Sequence, residues 1–179
     1  MPDVSLRPVP KTEKEPFTEH FQAYLRGLAE FTGARPNRRG LFEYYEYDLY
    51  WTDEERMPFF IEWAGQRAGL LLLRRLPEDG SPDGGSLQLA EIYVLPSFRR
   101  RGVGRQVMRL AARMAEADGS PLTWSAYMSN GPANALYGSI LDEFKAKNEG
   151  WTVERTHGID RSGLARFYYQ VAPVGAVQR

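Results

Sequence analysis

The stretch from Leu87 to Met128 constrains the fold of this chain more than any other. A strand-like run from Leu87 to Leu95 is closed by Pro96, and a turn carrying Gly102 and Gly104 follows. Val103, Val107, Leu110, Ala111 and Met114 then fall on one helical face, in a segment that ends at Asp118-Gly119. Another strand reads from Leu122 to Met128. Strand, glycine turn, helix and strand in succession place the chain in the mixed α/β class, built on a central sheet.

The remaining segments extend that pattern. Val4 to Val9 reads as a short strand broken by Pro8 and Pro10. Phe17, Phe21, Tyr24, Leu25, Leu28 and Phe31 keep helical spacing behind Pro16, and Gly33 with the run Arg35 to Gly40 ends that helix. A second helical stretch, rich in aromatics, is expected from about Leu41 to Trp51. Phe59 to Trp63 and Gly69 to Leu73 read as strands around a turn at Ala64-Gly65-Gln66, with Leu70 to Leu73 suited to a strand covered on both faces. Pro77 to Gly85 reads as a flexible loop within the domain. A helix is expected from Pro132 to about Phe144, then strands at Thr152 to Thr156 and Ala165 to Val171. The expectation is a single domain over residues 1–179.

Composition excludes several classes of function. Cysteine is absent, which removes disulfides, thiol nucleophiles and thiolate metal sites. With His20 and His157 as the only histidines, no multi-histidine metal centre is expected, and neither residue is assigned a role. Lys plus Arg and Asp plus Glu balance at 23 each, so no global field draws nucleic acid or a membrane. Asp3, Arg7 and Pro8 stand where a signal peptide would need an apolar run, so a cytoplasmic address is expected.

The chemistry concentrates in Arg99-Arg100-Arg101-Gly102-Val103-Gly104. A glycine-rich turn that opens a helix exposes unpaired backbone N–H groups and the positive end of the helix dipole, which together bind phosphate. Arg105-Gln106 follows Gly104 where a P-loop needs Lys-Ser or Lys-Thr, and Val107 stands where a dinucleotide fingerprint needs its third glycine. Neither of those phosphate cradles fits.

The run Glu91-Ile92-Tyr93-Val94-Leu95-Pro96-Ser97-Phe98 leading into that turn resembles the GNAT superfamily of acyl-CoA-dependent N-acyltransferases, whose strand ends in V-x-P and is followed by Q/R-x-x-G-x-G/A. Asn130-Gly131-Pro132-Ala133-Asn134-Ala135-Leu136-Tyr137, after the next strand, is similar to the family's second signature, N-x-x-A-x-x-L-Y. Tyr50-Trp51-Thr52-Asp53 to Pro58-Phe59-Phe60-Ile61 also resembles a bacterial subgroup of acetyltransferases without an assigned substrate. The resemblance implies a GNAT-like α/β fold with a mixed, largely antiparallel sheet of about seven strands flanked by about four helices.

It also implies acetyl-CoA as co-substrate and a primary amine of a small molecule or peptide as acceptor, joined by direct attack in a ternary complex. By that likeness, backbone groups of Ile92, Tyr93 and Val94 pair with the pantetheine arm as an added strand would. Arg99, Arg100, Arg101, Gly102, Val103, Gly104 and Arg105 hold the pyrophosphate, Asn130 bonds the cofactor arm, and Tyr137 protonates the leaving thiolate. Glu91 is the candidate base for the attacking amine, which is mostly protonated at neutral pH. The family leaves a homodimer open. A non-catalytic acyl-CoA sensor or an interaction domain on the same fold stand as alternatives.

Two further features admit a bland reading beside a functional one. Arg101, Arg105, Arg109 and Arg113 recur every fourth residue, as a phosphate-facing stripe or a solvated face. The segment from Glu43 to Trp51 could receive a cationic amine through carboxylates and aromatic rings, or simply pack. One departure from the family stands out: Gly150-Trp151 lies 13 residues after Tyr137, so the helix is longer there or an insertion follows it.

Overall fold

The computed structural model describes residues 3–78, 85–146 and 150–174. The strands are β1 Val4–Pro8, β2 Arg56–Trp63, β3 Gln66–Arg75, β4 Leu87–Val94, β5 Leu122–Tyr127, β6 Trp151–Ile159 and β7 Ala165–Pro173. The α-helices among the described residues are α1 Lys14–Thr32, α2 Val103–Ala117 and α3 Gly131–Ala146. One sheet takes the seven strands in the order β1-β2-β3-β4-β5-β7-β6. Pairs β1/β2, β5/β7 and β6/β7 are antiparallel and β4/β5 is parallel, the mixed sheet expected from the sequence. Among the described residues no helix is long and apolar enough to cross a membrane. Of the expected loop Pro77 to Gly85, residues 79–84 lie outside the described residues.

Packing divides the chain into two units, Met1–Leu73 with Glu91–Val103, and Arg74–Ala90 with Gly104–Arg179. The boundaries fall inside β3 and β4 and at the start of α2.

In the first unit, α1 carries Pro16 in its first turn and ends at Gly33, whose φ of 67° allows its N–H to reach the Ala29 carbonyl at 2.8 Å. Its buried side chains, Phe17, Phe21 and Leu25, recur every fourth residue, and the Phe17 ring meets Phe60 of β2 at 5.4 Å. Burying each such ring contributes about 2 kcal/mol. Strands β2 and β3 join through Ala64 and Gly65, both at positive φ (50° and 73°), the type I′ geometry that matches strand twist. Leu70 to Leu73 are completely buried, as a strand covered on both faces requires.

The expected helix over Leu41 to Trp51 is not formed, which leaves one helix fewer than the sequence suggests. Only Tyr47–Trp51 is helical, as a short 3₁₀ turn entered through Glu46 at φ 65°. The reason is a tertiary clamp. Gln22 of α1 accepts from the Phe42 N–H at 2.8 Å and donates to the Phe42 carbonyl at 2.9 Å. Both backbone groups that a helix would have used are thereby satisfied, and aromatic residues have only a weak helical preference to set against it.

In the second unit, α2 buries Val107, Met108, Ala111, Ala112 and Ala115, and α3 buries Tyr137, Ile140, Leu141 and Phe144. Helix α3 runs on to Ala146, so the late Gly150-Trp151 pair follows a long helix. Arg109 of α2 forks onto Glu143 of α3 at 2.7 and 2.8 Å, and Arg105 reaches Glu143 at 3.4 Å and the Ser139 hydroxyl at 3.0 Å. Two members of the arginine stripe are therefore interhelical ties. Pairing of β4 with β5 runs from Leu87↔Leu122 to Leu89↔Trp124, whereas β4 itself continues to Val94.

In the first unit, backbone approaches backbone closely at Gly69. A Cβ there would lie 2.0 Å from the Tyr93 carbonyl oxygen and 3.1 Å from the Val94 Cα. Backbone cannot yield as a side-chain tip can, so Gly69→Ala should cost about 3 kcal/mol. Calorimetry should then show Tm falling by roughly 6–12 °C, and a Tm within measurement error of wild type would contradict the approach.

Candidate active site

The end of β4 and the turn after it belong to the first unit. Beyond Val94 the chain enters a 3₁₀ turn, Pro96–Phe98, pinned by the Leu95 N–H donating to the Ala68 carbonyl at 2.8 Å and the Phe98 N–H to that of Leu95 at 2.9 Å. Arg99 folds back: its Nε donates to the Val94 carbonyl at 2.9 Å, and its guanidinium lies 5.5 Å from the Tyr93 ring centroid. Arg101 stacks on Trp63 at 5.4 Å, and Trp63 meets Phe98 edge-on. Both arginines thus brace the turn as well as charging it.

Backbone conformation decides what the turn can hold. Arg100 (φ 61°) and Gly102 (φ 80°) are both left-handed, and α2 starts at Val103. Such alternation gathers successive N–H groups into an anion-binding concavity. Helix α2 opens directly after these two residues, so the first N–H groups of the helix face the turn without intrahelical acceptors. Arg100 is a non-glycine residue held in a conformation that costs about 1 kcal/mol.

Glu91 stands three residues before the end of β4 at Val94, half-buried. The phenol of Tyr24, on α1, donates to its Oε2. The Tyr24 ring also meets Tyr93, at 5.6 Å between centroids. Since side chains at i and i+2 of a strand share a face, Glu91 and Tyr93 both lie on the α1 side of β4.

In the second unit, Tyr137 is 6% exposed, and its ring meets Trp124 at 5.9 Å and Tyr169 at 5.4 Å, both edge-on. Trp124 and Tyr169 are cross-strand partners stacked at 5.5 Å, and the buried Trp124 indole N–H has no hydrogen-bond partner among the described residues. Asn130 caps α3, its Oδ1 accepting from the Ala133 N–H at 3.2 Å. Asn134 ties three elements: Nδ2 donates to the carbonyls of Tyr127 and Met128 at 3.0 and 3.1 Å, and Oδ1 accepts from the Tyr169 hydroxyl at 2.9 Å. Burial pushes the Tyr169 phenol above its ordinary pKa, so it remains a donor to Asn134 at neutral pH.

The expected residues therefore divide. Glu91, Ile92, Tyr93, Val94 and Arg99 to Val103 fall in the first unit; Gly104, Arg105, Asn130 and Tyr137 fall in the second. Sequence reasoning passed over Tyr24, Gly69, Asn134 and Tyr169. Tyr24 looks like any core position of α1, and nothing in the spacing shows where its hydroxyl ends. Asn134 did carry a signal, as a polar residue one turn after the α3 cap. Within the Glu43 to Trp51 segment, Tyr47, Tyr50 and Trp51 pack against cations of the chain itself, while Tyr45 is exposed. Lys14 lies 5.0 Å from the Trp51 ring and 2.6 Å from Asp48, and Arg56 covers Tyr50 while pairing with Glu46 at 2.5 Å. Tyr47, half-buried and bonded to Thr18 at 2.9 Å, has its phenol pushed up to about 12 by desolvation.

Residues 18–141 match the family model described as "Acetyltransferase (GNAT) family". The chain is 33% identical over 135 residues to the thialysine N-epsilon-acetyltransferase of Caenorhabditis elegans, a match covering 75% of this chain and 64% of that protein. Among solved structures, aminoglycoside acetyltransferase AAC(6')-Ib with ribostamycin and coenzyme A superposes with a TM-score of 0.66 at 16% identity, covering 99% of this chain and 97% of that one. An acetyltransferase from Thermus thermophilus gives 0.61 at 20% identity, covering 97% and 99%. These superpositions show the fold.

The Asn134 tie generates a stability order. Asn134→Ala strips donors from two carbonyls and the acceptor from Tyr169, and should cost about 2–3 kcal/mol in urea denaturation. Tyr169→Phe removes one bond and should cost about 1 kcal/mol. Equal losses would show that Asn134 acts only through Tyr169.

Proposed function

Because the chain belongs to the GNAT acetyltransferase family, we propose that residues 1–179 form a single domain that transfers an acetyl group from acetyl-CoA directly to a primary amine of a small molecule or peptide. The observation that carries the donor half is the turn from Arg100 to Val103, where Arg100 and Gly102 sit at φ 61° and 80° directly before α2 opens. A pyrophosphate fits that donor set: it needs backbone N–H groups, a helix N-terminus and nearby positive charge, and the turn supplies all three. Gly104 and Arg105 would extend the cradle along the first turn of α2, Arg105 while still bonded to Ser139. The Asn130 Oδ1 is committed to its cap, so the cofactor arm would meet its Nδ2. The part of β4 holding Ile92 to Val94 lies past the register shared with β5, which supports a role in pairing with an extended ligand.

Bound acetyl-CoA supplies an acetyl group activated as a thioester. The Glu91 carboxylate takes the proton that the attacking nitrogen loses as its bond to carbon forms. The Tyr137 hydroxyl gives a proton to the departing sulfur, and water restores both side chains. The burial of Tyr137 among Trp124 and Tyr169 fixes its ring and keeps water from competing for that proton. A primary amine acceptor is favoured because the C. elegans relative is named for one and Glu91 offers a carboxylate to it.

Two variants separate binding from chemistry. Gly102→Glu places a carboxylate in the cradle and should abolish calorimetric binding of acetyl-CoA with the fold intact by circular dichroism. Tyr137→Phe should keep wild-type acetyl-CoA affinity while kcat falls about 100-fold or more. Unchanged binding by Gly102→Glu would remove the donor site from this turn. A wild-type protein that binds acetyl-CoA but turns over no amine in a broad library would be a sensor instead.

A further inference from the structure

To accept a proton from the amine, the Glu91 carboxylate must be held in place. A strand residue half-open to solvent has several rotamers, and a base that samples them spends most of its time out of reach of the nitrogen. The structure supplies a restraint 67 positions away in sequence: the Tyr24 hydroxyl donates to Glu91 Oε2. The ring that carries this hydroxyl is itself confined, with Phe21 at 5.8 Å on its own helix and Tyr93 at 5.6 Å on the strand. Tyr93 is in turn covered by the Arg99 guanidinium, which is anchored to the Val94 carbonyl. Phe21 is buried and stacks on Tyr47 at 4.9 Å. The phenol is therefore presented by packed aromatic neighbours on both α1 and β4.

We propose that Tyr24 is a positioning residue for the reaction: its hydroxyl grips the Glu91 carboxylate at Oε2 and fixes the orientation in which that carboxylate takes the proton from the attacking amine. The proposal rests on the assignment of Glu91 as the base. A phenol suits this task because it is a donor to a carboxylate, the bond is charge-assisted, and the rigid ring carries little rotamer entropy into the contact. An aliphatic residue at this position would fill the same packing space and hold nothing. The proton leaving nitrogen goes to the Glu91 carboxylate and then to water, so Tyr24 keeps its own hydrogen throughout and is not consumed in the cycle.

The test is a double-mutant cycle on the full chain, using acetyl-CoA and the best amine from a library screen. Tyr24→Phe retains the ring, so Tm and the KM for acetyl-CoA should match wild type while kcat falls about 10-fold. In a Glu91→Gln background, which alone should lower kcat about 100-fold, adding Tyr24→Phe should change kcat less than twofold, because the grip acts only through that carboxylate. Multiplicative losses would overturn the proposal, as would a rise in amine KM at constant kcat, which would make Tyr24 an acceptor contact. The base assignment fails separately: Glu91→Gln with wild-type kcat would sink it, whatever Tyr24→Phe does. Tyr24→Leu should lower kcat no less than Tyr24→Phe, and full activity in Tyr24→Leu would likewise exclude the hydroxyl.

Discussion

The first unit depends on backbone meeting backbone at Gly69. With no Cβ, β3 comes so close to the Tyr93 carbonyl that any side chain would overlap it. That contact, and the Leu95 N–H on the Ala68 carbonyl one step further, fixes the last residues of β4. Everything proposed for the chemistry of this unit is attached there. Glu91 and Tyr93 project toward α1, and the Arg99 side chain returns to Val94. The turn that gathers N–H groups begins immediately beyond. A glycine in the middle of a strand weakens it by removing both a side chain and a restraint; here the loss is offset by the precision with which the strand end is placed.

The second unit solves the same problem with a side chain. Asn134 joins the end of β5, the first turns of α3 and the hydroxyl of Tyr169, so the helix that presents Tyr137 is set against the strands at its amino end. The aromatic trio of Trp124, Tyr137 and Tyr169 then fixes the ring within the packed core. A buried phenol held by edge-on contacts has few rotamers to lose, which suits the proton donation proposed for it.

How much of this was legible in the sequence follows from the range of the interactions. Helix α1, the Ala64-Gly65 turn, the buried Leu70 to Leu73 strand and the glycine turn into α2 are set by spacing or by local backbone preference, and all were readable. The Leu41 to Glu46 segment was not, because Gln22, some 20 residues upstream, satisfies its backbone and overrides local propensity. The bond from Tyr24 to Glu91 spans 67 positions and has no periodicity to betray it. The arginine stripe shows the same limit: its spacing was plain, but only the fold reveals that Arg105 and Arg109 are bonded to α3. With Lys14 and Arg56 likewise spent on their own aromatic and acidic neighbours, much of the even charge count is neutralised internally.

The central claim is direct transfer from acetyl-CoA to an amine in a ternary complex. Initial rates measured over a grid of acetyl-CoA and amine concentrations test it most directly. The account predicts double-reciprocal lines that intersect, because both substrates must be bound before any product leaves. Parallel lines would contradict it, since they require a covalent acetyl-enzyme formed before the amine arrives.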